Sequence, residues 1–123
     1  MVQRYSSPQG ITTGATATAL GTGAANTATI IAVQGVTGNS YAARLAHDFH
    51  GGGYTDWFLP SKDELNALYV SRAMVGGFSD YGDYWSSTEV SDITAWGQYF
   101  FNGVQVPDDY KNYQGRVRAV RAF

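Results

Sequence analysis

The sequence contains no cysteine, and this absence removes two kinds of chemistry. No disulfide can close a loop, and no thiol can serve as a nucleophile or metal ligand. Charged side chains are also scarce, at 15% of 123 residues, and the formal net charge is −2. This charge does not favour binding of nucleic acid, which usually requires a basic surface. No apolar run approaches the roughly 20 residues of a membrane-spanning helix, so we expect no membrane insertion.

Metal-binding and catalytic clusters are also hard to assemble from these residues. The only two histidines, His47 and His50, lie three residues apart, and no further ligands follow at a zinc-like spacing. The hydroxyls of residues 86–88 have no base in their own block that could activate them. Pro107-Asp108-Asp109 offers few oxygens for calcium, so a plain turn is favoured. We therefore expect no metal, no cofactor and no enzymatic activity.

Large side chains and glycines are abundant instead. Hydrophobic residues make up 44% of the chain and aromatic residues 15%, with 15 glycines. This composition favours one domain with many turns and a β-rich or α+β fold. Residues 1–20 are rich in Ala, Thr and Gly and poor in bulky side chains, so we interpret them as a linker or a subunit-contact segment. Residues 21–123 would then form the binding domain.

Three helices are predicted in the first part of the domain. Asn26 is a candidate N-cap for a helix over residues 27–34, which Gly35 would end. A second helix is predicted over residues 40–49. Its Tyr41, Leu45 and Phe49 would share one face, because they recur every four residues.

The third helix carries the strongest local signal. Ser61 and Glu64 have the spacing of a capping box, in which each side chain accepts a hydrogen bond from the other residue's backbone N–H. Pro60 precedes the cap, where its missing N–H costs no helical hydrogen bond.

Strands are predicted in the second part of the chain, over residues 84–88, 96–101 and 117–123. Asn102-Gly103 is typical of a two-residue turn, so residues 96–101 and 104–106 should form a hairpin. Helices followed by an antiparallel sheet indicate an α+β fold with two to three helices and a small, mainly antiparallel sheet.

The large aromatic and basic side chains also lead to packing predictions. Trp57, Trp85 and Trp96 lie beside apolar residues, and we expect all three to be largely buried. Arg118 and Arg121 are predicted to pair with buried or half-buried carboxylates. The candidate partners are Asp56 and Glu64.

Two segments, residues 79–83 and 106–114, are rich in Tyr, Asp, Asn and Gly. Ordinary surface loops would have this composition, but so would a recognition surface, since Tyr provides contact area at low entropic cost. We predict one exposed patch that binds a ligand through these residues: Tyr81, Asp83, Asp108, Asp109, Tyr110, Asn112 and Tyr113.

Several separate blocks, in order, resemble the C-terminal domain family of the Legionella collagen-like adhesin. These blocks are residues 21–27, 56–65, 84–87, 95–96, 101–103 and 117–123, and the resemblance covers roughly residues 17–123. The resemblance implies a C-type-lectin-like fold at the end of a bacterial surface protein or phage fibre. It also implies a trimer and binding of sulfated glycosaminoglycans through a basic surface.

The charge distribution departs from that pattern. Residues 73–110 contain six acidic residues and no Lys or Arg. We therefore expect sulfated polymers to bind poorly, and binding to depend on aromatic stacking and hydrogen bonds with weak salt dependence.

These expectations define two functional hypotheses. The first is a non-enzymatic, extracellular binding module on a bacterial cell surface or virion, which recognises a glycan or protein on another surface. The alternative is a structural module whose role is trimerisation. In either case we expect a homotrimer, with residues 5–20 contributing to the subunit contact.

Overall fold

A computed structural model describes residues 3–5, 10–35, 41–79 and 82–122. The elements in these ranges are β1 (Gln3–Tyr5), α1 (Gly23–Gln34), α2 (Ala42–Asp48), a short 3-10 helix (Gly51–Gly53), α3 (Lys62–Val70), α4 (Arg72–Val75), β2 (Asp83–Glu89), β3 (Thr94–Tyr99), β4 (Gln105–Tyr110) and β5 (Gly115–Val117). The five strands form one sheet in the order β1-β5-β2-β3-β4. All neighbours are antiparallel except β2 and β5. The predicted α+β class with a mainly antiparallel sheet is confirmed.

Helices cover both faces of the sheet. Trp85 packs in a cluster with the buried alanines of α2, whereas its neighbour Tyr84 packs with Leu65 of α3 and with Phe100. Successive side chains of a strand point to opposite faces. The α1–α2 pair and α3 therefore lie on opposite sides of β2, and each side has its own core.

The start of α1 was predicted wrongly. The helix begins at Gly23, with Thr22 as its N-cap, and Asn26 lies inside it. Asn26 is buried, and its side-chain amide donates to the Ala17 carbonyl at 2.7 Å instead of capping the helix. A side chain at Gly23 would come within 2.8 Å of the Leu59 carbonyl oxygen, so this glycine allows the close approach. The predicted end of the helix at Gly35 is confirmed.

The second and third helices agree better with the sequence. Helix α2 spans residues 42–48 of the predicted 40–49, and residue 40 lies outside the described residues. The capping box of α3 is confirmed: the Glu64 N–H donates to Ser61 Oγ at 3.4 Å, and the Ser61 N–H donates to Glu64 Oε1 at 2.8 Å. Glu64 also accepts from the Gly21 N–H, so an arginine is not what satisfies this buried carboxylate.

The hairpin of β3 and β4 is confirmed, but its predicted two-residue turn is wrong. The Tyr99 N–H donates to the Val104 carbonyl at 2.9 Å, and the Gly103 N–H donates back to the Tyr99 carbonyl at 2.8 Å. The loop therefore has four residues. Phe100 is buried in the α3-side core, and the loop includes Phe100 and Phe101 as well as the predicted Asn102 and Gly103. Gly103, at φ 81°, provides the left-handed conformation that closes it.

The last strand was predicted in the wrong place: β5 spans Gly115–Val117, so only Val117 of the predicted residues 117–123 lies in it. Strand β5 ends at Val117, and the chain then leaves the sheet. Val120 forms an isolated antiparallel bridge with Phe58, through backbone hydrogen bonds of 2.8 and 2.9 Å. This pairing explains the imperfect alternation of residues 117–123, because that segment is not one continuous strand; Phe123 lies outside the described residues.

The prediction that all three tryptophans are largely buried is wrong for two of them. Trp85 is buried, as expected, but Trp57 and Trp96 are half-buried. The ammonium of Lys62 lies 4.7 Å from the centre of the Trp96 ring, which therefore faces a cation rather than the core. Flanking apolar residues did not distinguish these positions.

Of the two arginines, Arg121 forms its predicted pair with a carboxylate and Arg118 has other contacts. Arg121 forms the predicted pair with Asp56, with two hydrogen bonds of 2.6 and 3.1 Å, but the Asp56 side chain is exposed rather than buried. Arg118 instead donates to the Gly76 carbonyl at 3.0 Å and lies over the Phe78 ring.

Residues 13–17 make hydrogen bonds to the rest of the domain. The backbone N–H groups of Thr13 and Gly14 donate to the Glu89 carboxylate, and the Ala17 carbonyl accepts from the side chains of Asn26 and Thr88. The predicted role of residues 5–20 in a subunit contact stays a prediction, and residues 6–9 lie outside the described ranges.

Candidate ligand-binding surface

The two polar-aromatic segments approach each other across β3. Asp83 of β2 pairs with Tyr99, and Asp109 of β4 pairs with Ala95. Side chains of directly paired residues lie on the same face of a sheet, as do side chains two residues apart on one strand. Asp83, Tyr99 and Asp109 therefore share the face on which Trp85 packs.

Asp109 is the least typical carboxyl group of this surface. It lies against Gly97, where any side chain would collide with its carboxylate oxygen. Burial, followed by the negative charges of Asp83 and Asp108, raises the pKa of Asp109 to about 6. Partly buried carboxyl groups with raised pKa values are typical of functional sites, although structural clusters also contain them.

Tyr99 lies among these carboxylates, and sequence reasoning did not identify it. Burial raises the pKa of its phenol, and the nearby charges of Asp109, Asp83, Asp108 and Tyr113 raise it further. Tyr113 is therefore close enough to Tyr99 to act on it electrostatically. Tyr99 lies among the carboxylates because β3 is between β2 and β4 in the sheet and pairs with both. We call Asp83, Tyr99, Asp108, Asp109 and Tyr113 the tyrosine–aspartate patch.

The segment from residue 106 to residue 114 was predicted to be a loop, and this is wrong for its first half. Strand β4 continues to Tyr110, and one extra residue forms a bulge at Pro107-Asp108. A bulge on an edge strand accommodates a proline, because the missing N–H is not needed for pairing. The strand has no apolar alternation, and none of its six residues is fully buried.

The remaining predicted site residues lie around the patch. Tyr110 is 57% exposed, but it follows Asp109 directly on β4, so its side chain points to the opposite face. Asn112 is exposed in the turn after β4. Tyr81 lies outside the described residues.

Lys111 does not contribute a positive charge to this surface. Its side chain is buried, and its ammonium donates to Glu89 and to the Ile11 carbonyl. None of the groups that shift the pKa of Asp109 is a cation. The tyrosine–aspartate patch is therefore acidic and aromatic.

The hydroxyl groups of residues 86–88 serve the fold. Ser86 Oγ donates to the Trp96 carbonyl at 2.7 Å, and Thr88 Oγ1 donates to the Ala17 carbonyl at 2.8 Å. Within the described ranges, the buried Ser87 Oγ has no hydrogen-bond partner. The structural interpretation is confirmed for two of the three hydroxyls.

Within the described ranges, the His, Asp and Glu side chains form no cluster of three or more that could hold a metal ion. His47 instead lies beside Asp48 at the exposed end of α2, with Nδ1 3.0 Å from Oδ1. No helix in the described part of the chain is long and apolar enough to cross a bilayer.

A model of the Lcl C-terminal domain family matches residues 12–121. The chain belongs to this family. The match covers both cores, the whole tyrosine–aspartate patch and most of the N-terminal segment that hydrogen-bonds to Glu89. None of the curated proteins matches the sequence. Membership in the Lcl C-terminal domain family indicates an adhesin-like protein of the cell surface.

Proposed function

We propose that this Lcl C-terminal domain is a non-enzymatic binding module that recognises a glycan or protein on another surface. The observation that carries the proposal is that Asp83, Tyr99 and Asp109 share one face of the sheet, with Asp108 close enough to raise the pKa of both Tyr99 and Asp109. Two segments separated by more than twenty residues form one acidic, aromatic surface at an exposed edge of the sheet. Asn112 is exposed in the turn beside it, whereas Tyr110 faces the other side of the sheet.

The composition of this surface supports recognition more than catalysis. Tyr99 and Tyr113 provide rigid contact area, and the carboxylates accept hydrogen bonds from hydroxyl or amide groups of a partner. The acidic charge also disfavours sulfated polymers, because like charges repel. Binding that relies on aromatic stacking and hydrogen bonds should depend little on salt.

A glycan array combined with binding of the labelled domain to intact cells tests the proposal. We expect retention on a defined set of non-sulfated glycans or on a cell-surface protein, persisting in about 1 M salt, where the Debye length is about 3 Å. Absence of binding in both assays, or tight heparin binding that disappears in salt, would overturn it.

Assembly is the second candidate function. Val70 is 72% exposed and Met74 is 92% exposed, on neighbouring helices α3 and α4. Exposed apolar side chains of this kind are suited to a contact between subunits. We propose a homotrimer, with residues 5–20 contributing. Light scattering at on the order of tens of micromolar would contradict this proposal if it showed a monomer.

The C-type-lectin-like fold and a position at the tip of a bacterial adhesin or phage fibre belong to the same proposal. They rest on the resemblance of the sequence blocks and on the family match, which begins at residue 12 and ends at residue 121.

A further inference from the structure

A second concave surface lies outside the tyrosine–aspartate patch. It has a volume of about 400 Å³ and is lined by Phe49, Gly51, Gly52, Tyr54, Trp57 and Arg121. Small-molecule pockets typically have volumes of about 300–1,000 Å³. We call this feature the aromatic pocket. It shares no residue with the patch, so the two sites can be tested independently.

Glycines keep the aromatic rings of this pocket accessible. A side chain at Gly51 would collide with the Phe49 ring, and Gly52 adopts φ 70°, which favours glycine. Residues 51–53 therefore pass the pocket without side chains that could cover it. Tyr54 is 49% exposed.

The Trp57 ring is held in place. Its Nε1 donates to the Gly51 carbonyl at 3.1 Å, and the Phe49 ring meets it edge-on at a centroid distance of 4.8 Å. Such contacts fix the ring before a ligand arrives, which lowers the entropic cost of binding.

A paired charge provides the polar side of the pocket. The Arg121 guanidinium binds Asp56 through two hydrogen bonds and lies 3.3 Å from the centre of the Tyr54 ring. Asp56 opposes the charge of Arg121, so an anionic ligand gains little attraction. The guanidinium also occupies a face of Tyr54 where a cationic ligand would stack. A neutral ligand rich in hydroxyl groups fits both constraints.

We propose that the aromatic pocket binds one neutral pyranose ring of a glycan. The apolar C–H face of the sugar would pack against Trp57 and the exposed part of Tyr54. Its hydroxyls would accept hydrogen bonds from guanidinium N–H groups of Arg121, which Asp56 holds in place. Aromatic surface combined with a few fixed polar groups is the usual composition of a small-ligand pocket.

The three tryptophans provide a direct readout. In a ¹⁵N-labelled sample, each indole N–H gives one NMR signal, and Trp57→Phe identifies the signal of Trp57. The titrants are glucose, galactose, mannose, fucose and N-acetylglucosamine, each raised to high millimolar concentration. We expect at least one sugar to shift the Trp57 signal saturably while the Trp85 signal stays in place.

A matched pair of tyrosine variants tests the location. Tyr54→Ala should weaken the titration about tenfold, because it removes part of the stacking surface. Tyr110→Ala removes an equally exposed tyrosine outside the pocket and should leave the titration unchanged. If Tyr54→Ala does not fold, Arg121→Lys serves instead, since it keeps the charge and removes the planar donors.

Three results would overturn the proposal: no saturable shift with any sugar, equal shifts of all three indoles, or equal weakening by Tyr54→Ala and Tyr110→Ala. Because no patch residue is changed, failure here leaves the proposed binding through the tyrosine–aspartate patch intact. A shift produced only by glucuronic acid, included as an anionic probe, would also contradict a neutral ligand.

Discussion

Lys111 Nζ lies 2.5 Å from Glu89 Oε1, and the two side chains are only 6% and 4% exposed. The same carboxylate accepts the N–H groups of Thr13 and Gly14. Burial opposes the charge of Glu89, but Lys111 and the two backbone donors outweigh burial and lower its pKa. The pair thus connects the N-terminal segment to β2 and to the end of β4.

Breaking this pair from one side should destabilise the domain. Lys111→Met leaves the Glu89 carboxylate buried without its cation, and we predict a loss of about 3–5 kcal/mol in the free energy of unfolding. Glu89→Gln/Lys111→Met should lose less than the sum of the two single variants. Urea unfolding of all three, with Lys62→Met as a more exposed control, measures the coupling. Additive losses would show that the two groups do not interact.

Asp109 should make the domain more stable when it is protonated. Its pKa is about 6 in the folded state, above the value of about 3.9 for an unfolded aspartate. Ionisation therefore opposes folding fully above pH 6, and this penalty vanishes below the unfolded pKa. We predict that Asp109→Asn raises the melting temperature at pH 7 but not at pH 3.5. The same gain at both pH values would contradict the raised pKa.

Removing a buried tryptophan should cost the domain more stability than removing a half-buried one. Trp85→Ala removes a buried ring that packs on the α2 alanines, and we predict a loss of about 3–5 kcal/mol or failure to fold. Trp96→Ala removes a half-buried ring and its contact with Lys62, at a cost of about 1 kcal/mol. Chemical denaturation would contradict this assignment if the two variants lost equal stability.

The stability that the α3 cap contributes can be measured by comparing loss of Ser61 with loss of the nearby Ser71. Ser61→Ala removes the acceptor for the Glu64 N–H, and we predict a loss of about 1 kcal/mol. Ser71 precedes α4 without a side-chain cap, so Ser71→Ala should change stability much less. Similar thermal shifts for the two variants would argue against a stabilising cap.

Local chemistry explains which elements the sequence predicted. Ser61 and Glu64 form their capping box within four residues, so the signal was complete in the sequence. Asn26 had an equally good local signal, but it is buried, and its amide donates to the Ala17 carbonyl. Tertiary burial therefore overrode the cap, and the helix extended to Gly23.

The candidate site, like the helices, was predicted only where the signal is local in the sequence. Composition identified Asp83, Asp108 and Asp109, because polar aromatic segments stand out locally. It could not reveal that β3 places Tyr99 between them, nor that Lys111 turns inward to a partner 22 residues away. Exposure of Trp57 and Trp96, and hence the aromatic pocket, also depended on contacts between distant segments.

The most direct test of the binding proposal compares a patch variant with a surface control on the same target. The target is the strongest glycan or cell type found with the unaltered domain. Asp108→Ala/Tyr113→Ala should weaken binding about tenfold or more while the melting temperature stays the same. His47→Ala/Asp48→Ala, at the exposed end of α2, should leave binding unchanged. Equal binding by the patch variant and the unaltered domain would contradict recognition through the tyrosine–aspartate patch.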